Sequence, residues 1–236
     1  MTRLCLPADY PRIRRVGSFD ELVNTPFADG VNALCWERPL AGDFGEVVEA
    51  LAAGEGITSL DESTLRALPV GAAGKAAVGI MLKDMKMLEH CGLMPELNCI
   101  RNYLRDDEPG VVRTDVYSFH ADRATVEADT YLCTYHGPAS EILRNEEARR
   151  HIDIPATRAA LLEEYDGDDD EGFAEYLAEL CYDLHYAAAP QAKPIGLGLG
   201  NLWRIAVAYP GCPVPPCVHR APDNLPGLPP RLLLIS

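Results

Sequence analysis

A chain of 236 residues with 47% hydrophobic content can bury a sizeable core and sits near the upper end of what one domain usually holds. Its formal net charge of -15 argues against a nucleic-acid partner, because phosphate-backbone binding draws on Lys and Arg displacing counterions. No apolar run reaches the ~18 residues that a membrane span needs, and MTRLCLPADYPRIRRVGS lacks the apolar block of a secretory signal, so a soluble, cytoplasmic protein with no membrane partner is expected.

The first 96 residues read as a mostly helical N-terminal flank. In SFDELVN, Ser18 and Glu21 have the spacing of a capping box. VNALCW, residues 31 to 36, is a strand candidate, and GEVVEALAAG offers a short helix with Gly54 as its stop. The clearest helix runs from about Gly74 to Cys91, where Val78, Met81, Leu82, Met85 and Leu88 recur at three- and four-residue spacing. Its methionine stripe reads as core packing against a sheet.

From residue 97 to 236 the texture changes to short strands separated by Gly, Pro and Asp clusters: LNCIRNYL, VVRTDVYSFHA, TYLCTYHG, LWRIAVAY, CVHR and RLLLIS. A helical leader followed by such strands predicts one α+β domain with a sandwich or barrel core. Residues 144 to 192 read as a helical insertion, with ATRAALLEEY and GFAEYLAELCYDLHYAAA flanking the acidic DGDDDEG. That loop has Glu171 where an EF-hand needs Gly and Leu177 where it needs a terminal Glu, so it is a solvated loop. The eight cysteines are scattered without a C-x-x-C and are expected to be reduced and mostly buried. GLGLGN, residues 196 to 201, lacks the third glycine of a dinucleotide fingerprint and reads as a turn.

Two His-x-Asp pairs occur. His151 and Asp153 run into Pro155, where Asp153 is expected to cap a helix. His120 and Asp122 instead lie in a strand-like segment, where residues two apart share a face and can present an imidazole and a carboxylate to one ion. A two-histidine, one-carboxylate iron site needs a third ligand from a distant strand, and His219 in PPCVHRAP is the candidate. Arg231, opening the last strand, can grip a carboxylate with its planar fork and so anchor a 2-oxo acid. Cys217 is expected to face the same site, Arg220 to point away into an ion pair, and His136, His185 and His90 to be structural or exposed.

This order resembles the 2-oxoglutarate/Fe(II)-dependent oxygenase superfamily. More narrowly, VNALCWERPL, FHAD, TYHGPASEIL, VHRAP and RLLL are similar to a bacterial family of unknown function that carries F-H-x-D, T-Y-x-G-P-x-x-E, V-H-R-[SA]-P and R-L-L-L in that order. The resemblance covers the chain from about residue 30 to its end, apart from the insertion. It implies a double-stranded β-helix, or jelly roll, with flanking helices. It also implies His120, Asp122 and His219 as ligands to Fe(II), Arg231 as the 2-oxoglutarate anchor, and Tyr103 as an aromatic contacting that cosubstrate. A small molecule, amino acid or peptide is the substrate class the acidic surface favours. Two other readings stay open: a non-catalytic metal-binding jelly roll, and a cupin-type metalloenzyme that does not use 2-oxoglutarate. Neither of these needs Arg231.

Overall fold

The computed structural model describes residues 6, 7, 9–105, 110–223 and 227–236. Two large, mostly antiparallel sheets form its centre. The first has seven strands in the order β1 (Ile13–Val16), β2 (Ala33–Trp36), β11 (Leu202–Ala206), β6 (Asp129–His136), β13 (Arg231–Ile235), β4 (Glu96–Ile100) and β3 (Ile57–Leu60). The second has six, in the order β10 (Ile195–Gly196), β7 (Glu141–Ile142), β12 (His219–Arg220), β5 (Phe119–His120), β9 (His185–Ala188) and β8 (Ala148–Arg150). Among the strands of the described residues only β1 and β2 pair in parallel, and an isolated parallel bridge joins Arg123 to Ala208. This mixed α/β arrangement is compatible with a β-sandwich or jelly roll.

Strand alternation explains the layers. Along β6, Tyr131, Cys133 and Tyr135 pack into one core with helices α1 (Phe19–Asn24), α2 (Phe44–Leu51), α3 (Glu62–Ala67) and α4 (Ala72–His90). Leu132 on the opposite face joins Trp203, Leu233, Ile142, Ile195 and Cys217 in the core between the sheets. Along β13, Leu232 and Leu234 likewise face the helices while Leu233 faces the second sheet. Arg231 has the same parity as Leu233, which directs it to the interior.

Helix α4 begins and ends within two residues of its predicted span, and Met81, Leu82 and Leu88 are buried as the spacing requires. The helical face hides one polar group, Asp84. Its carboxylate takes Arg38 Nη1 at 2.7 Å and the Tyr135 hydroxyl at 2.7 Å, and Arg38 Nη2 closes the fork. Ser18 caps α1 as expected, its Oγ accepting the Glu21 amide at 3.1 Å, while the Glu21 carboxylate reaches back to accept the Gly17 amide at 2.7 Å.

Several expectations need correction. The N-terminal flank, read as mostly helical, gives the expected strand in VNALCW as β2 and also gives β1 and β3 to the seven-stranded sheet. Ala52, not Gly54, takes the left-handed cap after α2, with φ of 45°. Asp153 does not cap α5 (Pro155–Tyr165); Ile154 holds that position and the Asp153 carboxylate is drawn to Arg150 at 2.8 Å. The second helix of the insertion, α6, covers only Glu171–Glu179. Cys181 then turns left-handed at φ 59°, and HYAA becomes strand β9 because its backbone groups are satisfied by β5 and β8. The segment 111–118 is turn and bend, leaving only Phe119 and His120 as strand. Among the described residues no helix is long and apolar enough to cross a membrane.

Candidate metal centre

His120, Asp122 and His219 come together although the last lies far along the chain. Strands β5 and β12 are antiparallel neighbours, and His219 is the register partner of His120. Their ring centroids are 4.6 Å apart. Each of the three residues offers one ligand atom, and these atoms lie within 4.8 Å of one another.

The local backbone prepares the imidazoles. His120 Nδ1 lies 2.8 Å from the Ser118 carbonyl and His219 Nδ1 lies 3.2 Å from the Cys217 carbonyl. A carbonyl only accepts, so each Nδ1 keeps its proton and each Nε2 presents a lone pair. Those Nε2 atoms point at the carboxylate, at 3.9 Å from Asp122 Oδ1 for His120 and 3.7 Å from Oδ2 for His219. Thr130 on β6 donates to Asp122 Oδ2 at 2.5 Å and fixes its orientation. Burial, reinforced by the neighbouring His219, holds the His120 imidazole down to about 4, against the partial opposition of Ser118 and Asp122. It is therefore neutral, and a competent ligand, at physiological pH.

The group could hold a metal ion. Two imidazoles with one carboxylate suit a first-row transition metal, and three protein ligands leave positions for other molecules. Asp122 is the most exposed of the three, with 34% of its side chain accessible against 16% and 11% for the histidines, so the group opens on the carboxylate side.

Arg231 is buried and lines a pocket with Ile100, Tyr103, Tyr117, Pro138, Pro222 and Asp223. Its Nη1 donates to the Tyr103 hydroxyl at 3.1 Å and its Nη2 to Ser140 Oγ at 2.8 Å, while its Nε has no partner among the described residues. Burial lowers its proton affinity, and the Tyr103 and Tyr117 phenols oppose that shift. The pocket shares chain segments with the metal group: Tyr117 lies three residues before His120, and Ser140 two before Ile142, the other register partner of His219.

No protein-family model matches this chain, and no curated protein or solved structure does. What the site can do follows from its donors alone.

Other expected residues fall as follows. Cys217 is buried beside the group, its thiol pushed up by burial and by Asp122. Arg220 turns outward to Glu141 at 2.9 Å, as strand parity required. His136 Nδ1 contacts the Pro230 carbonyl at 3.1 Å, and His90 is exposed at the end of α4. Sequence reasoning missed Thr130 and Ser140. Ser140 had a signal, lying inside the GPASE stretch; Thr130 had none, because only the fold brings it to the site.

Proposed function

We propose that the chain is an Fe(II)- and 2-oxoglutarate-dependent dioxygenase of double-stranded β-helix fold, acting on a small molecule, amino acid or peptide. Strand order supports the fold. Taken along the chain, β4, β5, β6 and β7 alternate between the two sheets, and β10, β11, β12 and β13 do the same. The resulting orders, β11-β6-β13-β4 and β10-β7-β12-β5, fit the two four-stranded sheets expected of a jelly roll and support this reading. The helices α1 to α4 cover the first sheet, and the insertion lies between β7 and β10.

The observation that carries the activity is Arg231. A buried guanidinium that, among the described residues, donates to two neutral hydroxyls is costly unless an anion completes it. The Tyr103 and Ser140 hydroxyls accept from Arg231 and so keep their own protons to donate. Together with the orphan Nε, they form a donor set for one carboxylate. A metal-binding protein without a carboxylate-bearing cosubstrate has no use for this arrangement.

His120, Asp122 and His219 would hold the iron, which with 2-oxoglutarate supplies the activation of dioxygen: 2-oxoglutarate, dioxygen and a substrate C–H group yield succinate, carbon dioxide and a hydroxylated product. The chain's own contribution is positional. The Nδ1 contacts hold both imidazoles in the ligating tautomer, Thr130 orients the carboxylate, and Arg231 fixes one end of the dicarboxylate. The apolar core between the sheets keeps water from that end of the site.

The test is release of carbon dioxide from 2-oxoglutarate labelled at C1, with purified protein, Fe(II) and air. Iron-dependent release that disappears in Asp122→Ala supports the reading. Tight iron binding with no 2-oxoglutarate binding or decarboxylation would replace it with a metal-binding jelly roll or a cupin-type enzyme.

A further inference from the structure

The three adjacent strands β12, β5 and β9 carry a transverse row of histidines: His219 is the register partner of His120, and His120 is the register partner of His185. The His120 ring lies between the other two, 4.6 Å from His219 and 5.6 Å from His185 by ring centroid. His185 is buried and is not one of the three grouped ligands. Its Nδ1 is tied to the Cys181 carbonyl at 2.8 Å, and the Thr114 backbone also faces the ring. It therefore presents its ring to His120 while its polar contacts go to backbone.

Strand β5 is two residues long and cannot hold a ligand in place alone. The insertion fastens it on the side away from His219. Phe119 and His120 pair with Tyr186 and His185, the Ala121 amide donates to the Leu184 carbonyl at 3.0 Å, and Arg123 binds the Asp183 carboxylate and the Ala178 carbonyl. On the outer face of the same strands, Phe119, Val218 and Leu143 pack with Tyr186, Ala148 and Ala192. Residues 119 to 123, which include two of the three ligands, are thus stitched to residues 178 to 186.

We propose that His185, with the strand β9 that the insertion contributes, is a positioning element for the ligand His120: the insertion is a structural half of the metal centre, and metal binding and docking of β9 are thermodynamically coupled. The role rests on the metal-binding reading of the three ligands, not on the use of 2-oxoglutarate. Linkage makes the coupling reciprocal, so whatever loosens β9 weakens metal binding, and metal binding tightens β9.

The test uses Co(II), a redox-stable probe whose absorption reports its ligands, titrated into the full-length metal-free chain. His185→Ala should weaken Co(II) binding by roughly 10- to 100-fold, as removal of groups that orient metal ligands does. His185→Phe, which restores a planar ring against His120 without the backbone hydrogen bond, should recover most of the loss and the wild-type Co(II) spectrum. A merely structural role would lower the melting temperature of the metal-free protein and leave the affinity of the folded fraction unchanged; that result overturns the proposal while the metal centre stands. Absence of Co(II) binding by the wild-type chain overturns the metal centre and this role with it. Amide exchange in the wild-type chain needs no variant to fold: Co(II) should slow exchange over residues 184–188 and leave α5 unchanged, and no slowing there rejects the coupling.

Discussion

His120 and His219 are cross-strand partners, each with its Nδ1 against the backbone carbonyl two residues before it. The repeated contact gives both rings the same tautomer and sends both Nε2 atoms toward Asp122. Two residues far apart in sequence but side by side in the sheet are thereby prepared as a pair before any ion arrives, which lowers the cost of ordering them on binding.

Replacing either histidine or the carboxylate should abolish stoichiometric Fe(II) or Co(II) binding while the fold persists. The measurement is metal content after dialysis, with circular dichroism as the control. Full retention of metal by both His120→Ala and His219→Ala would remove the site assignment.

Arg231→Ala should weaken 2-oxoglutarate binding by about 2 kcal/mol or more, roughly thirty-fold in Kd, and change metal affinity little. Arg231→Met should leave the ligand-free protein as stable as the wild type or more so, because it removes a buried cation that hydrogen-bonds to no carboxylate among the described residues. Calorimetry and urea unfolding check the two halves separately.

The pH dependence of the metal-free protein follows from His120. Its folded value of about 4 lies below the ordinary 6.5, chiefly through burial, so the unfolded chain takes up a proton that the native state refuses. The stability this neutral ring preserves is complete above pH 6.5 and is lost as the pH falls toward 4. Burial lowers His185 and His151 in the same direction. Urea unfolding at pH 7 and pH 5 should show the drop, with a slope on the order of 1 kcal/mol per pH unit from His120 below pH 6.5 and a further fall of the same sign from the other two rings. A flat profile between those values would contradict the burial of these rings.

Under α4, Asp84 is the shared partner of Arg38 and Tyr135. Asp84→Ala leaves the Arg38 guanidinium, 10% exposed, without its counter-charge and should cost about 3–5 kcal/mol. Tyr135→Phe removes one hydrogen bond to the same carboxylate and should cost only about 1 kcal/mol. Chemical denaturation of the two variants gives the comparison.

What was legible in the sequence was whatever repeats locally. The spacing of Val78, Met81, Leu82 and Leu88 predicts α4, and the alternation in TYLCTYH predicts β6, because each pattern records which face is buried. The order His120, Asp122, His219, Arg231 was readable as chemistry, since few arrangements use a paired imidazole and carboxylate, a distant imidazole and a strand-opening guanidinium. What stayed hidden was set by tertiary partners. LHYAAA has the composition of a helix, but the left-handed turn at Cys181 and the free edge of β5 make it a strand, and so His185 was assigned to a helix. Asp84 sits among methionines, and nothing near it in sequence announces Arg38 or Tyr135. Thr130 and Ser140 acquire their roles only once β6 and β7 lie beside their partners.

The most direct test of the central claim is anaerobic titration of the metal-free protein with Fe(II) and then with 2-oxoglutarate, followed by visible absorption. The account predicts a weak metal-to-ligand charge-transfer band on addition of 2-oxoglutarate, absent in Asp122→Ala and requiring far more 2-oxoglutarate in Arg231→Ala. Stoichiometric iron binding with no band at any 2-oxoglutarate concentration would contradict it.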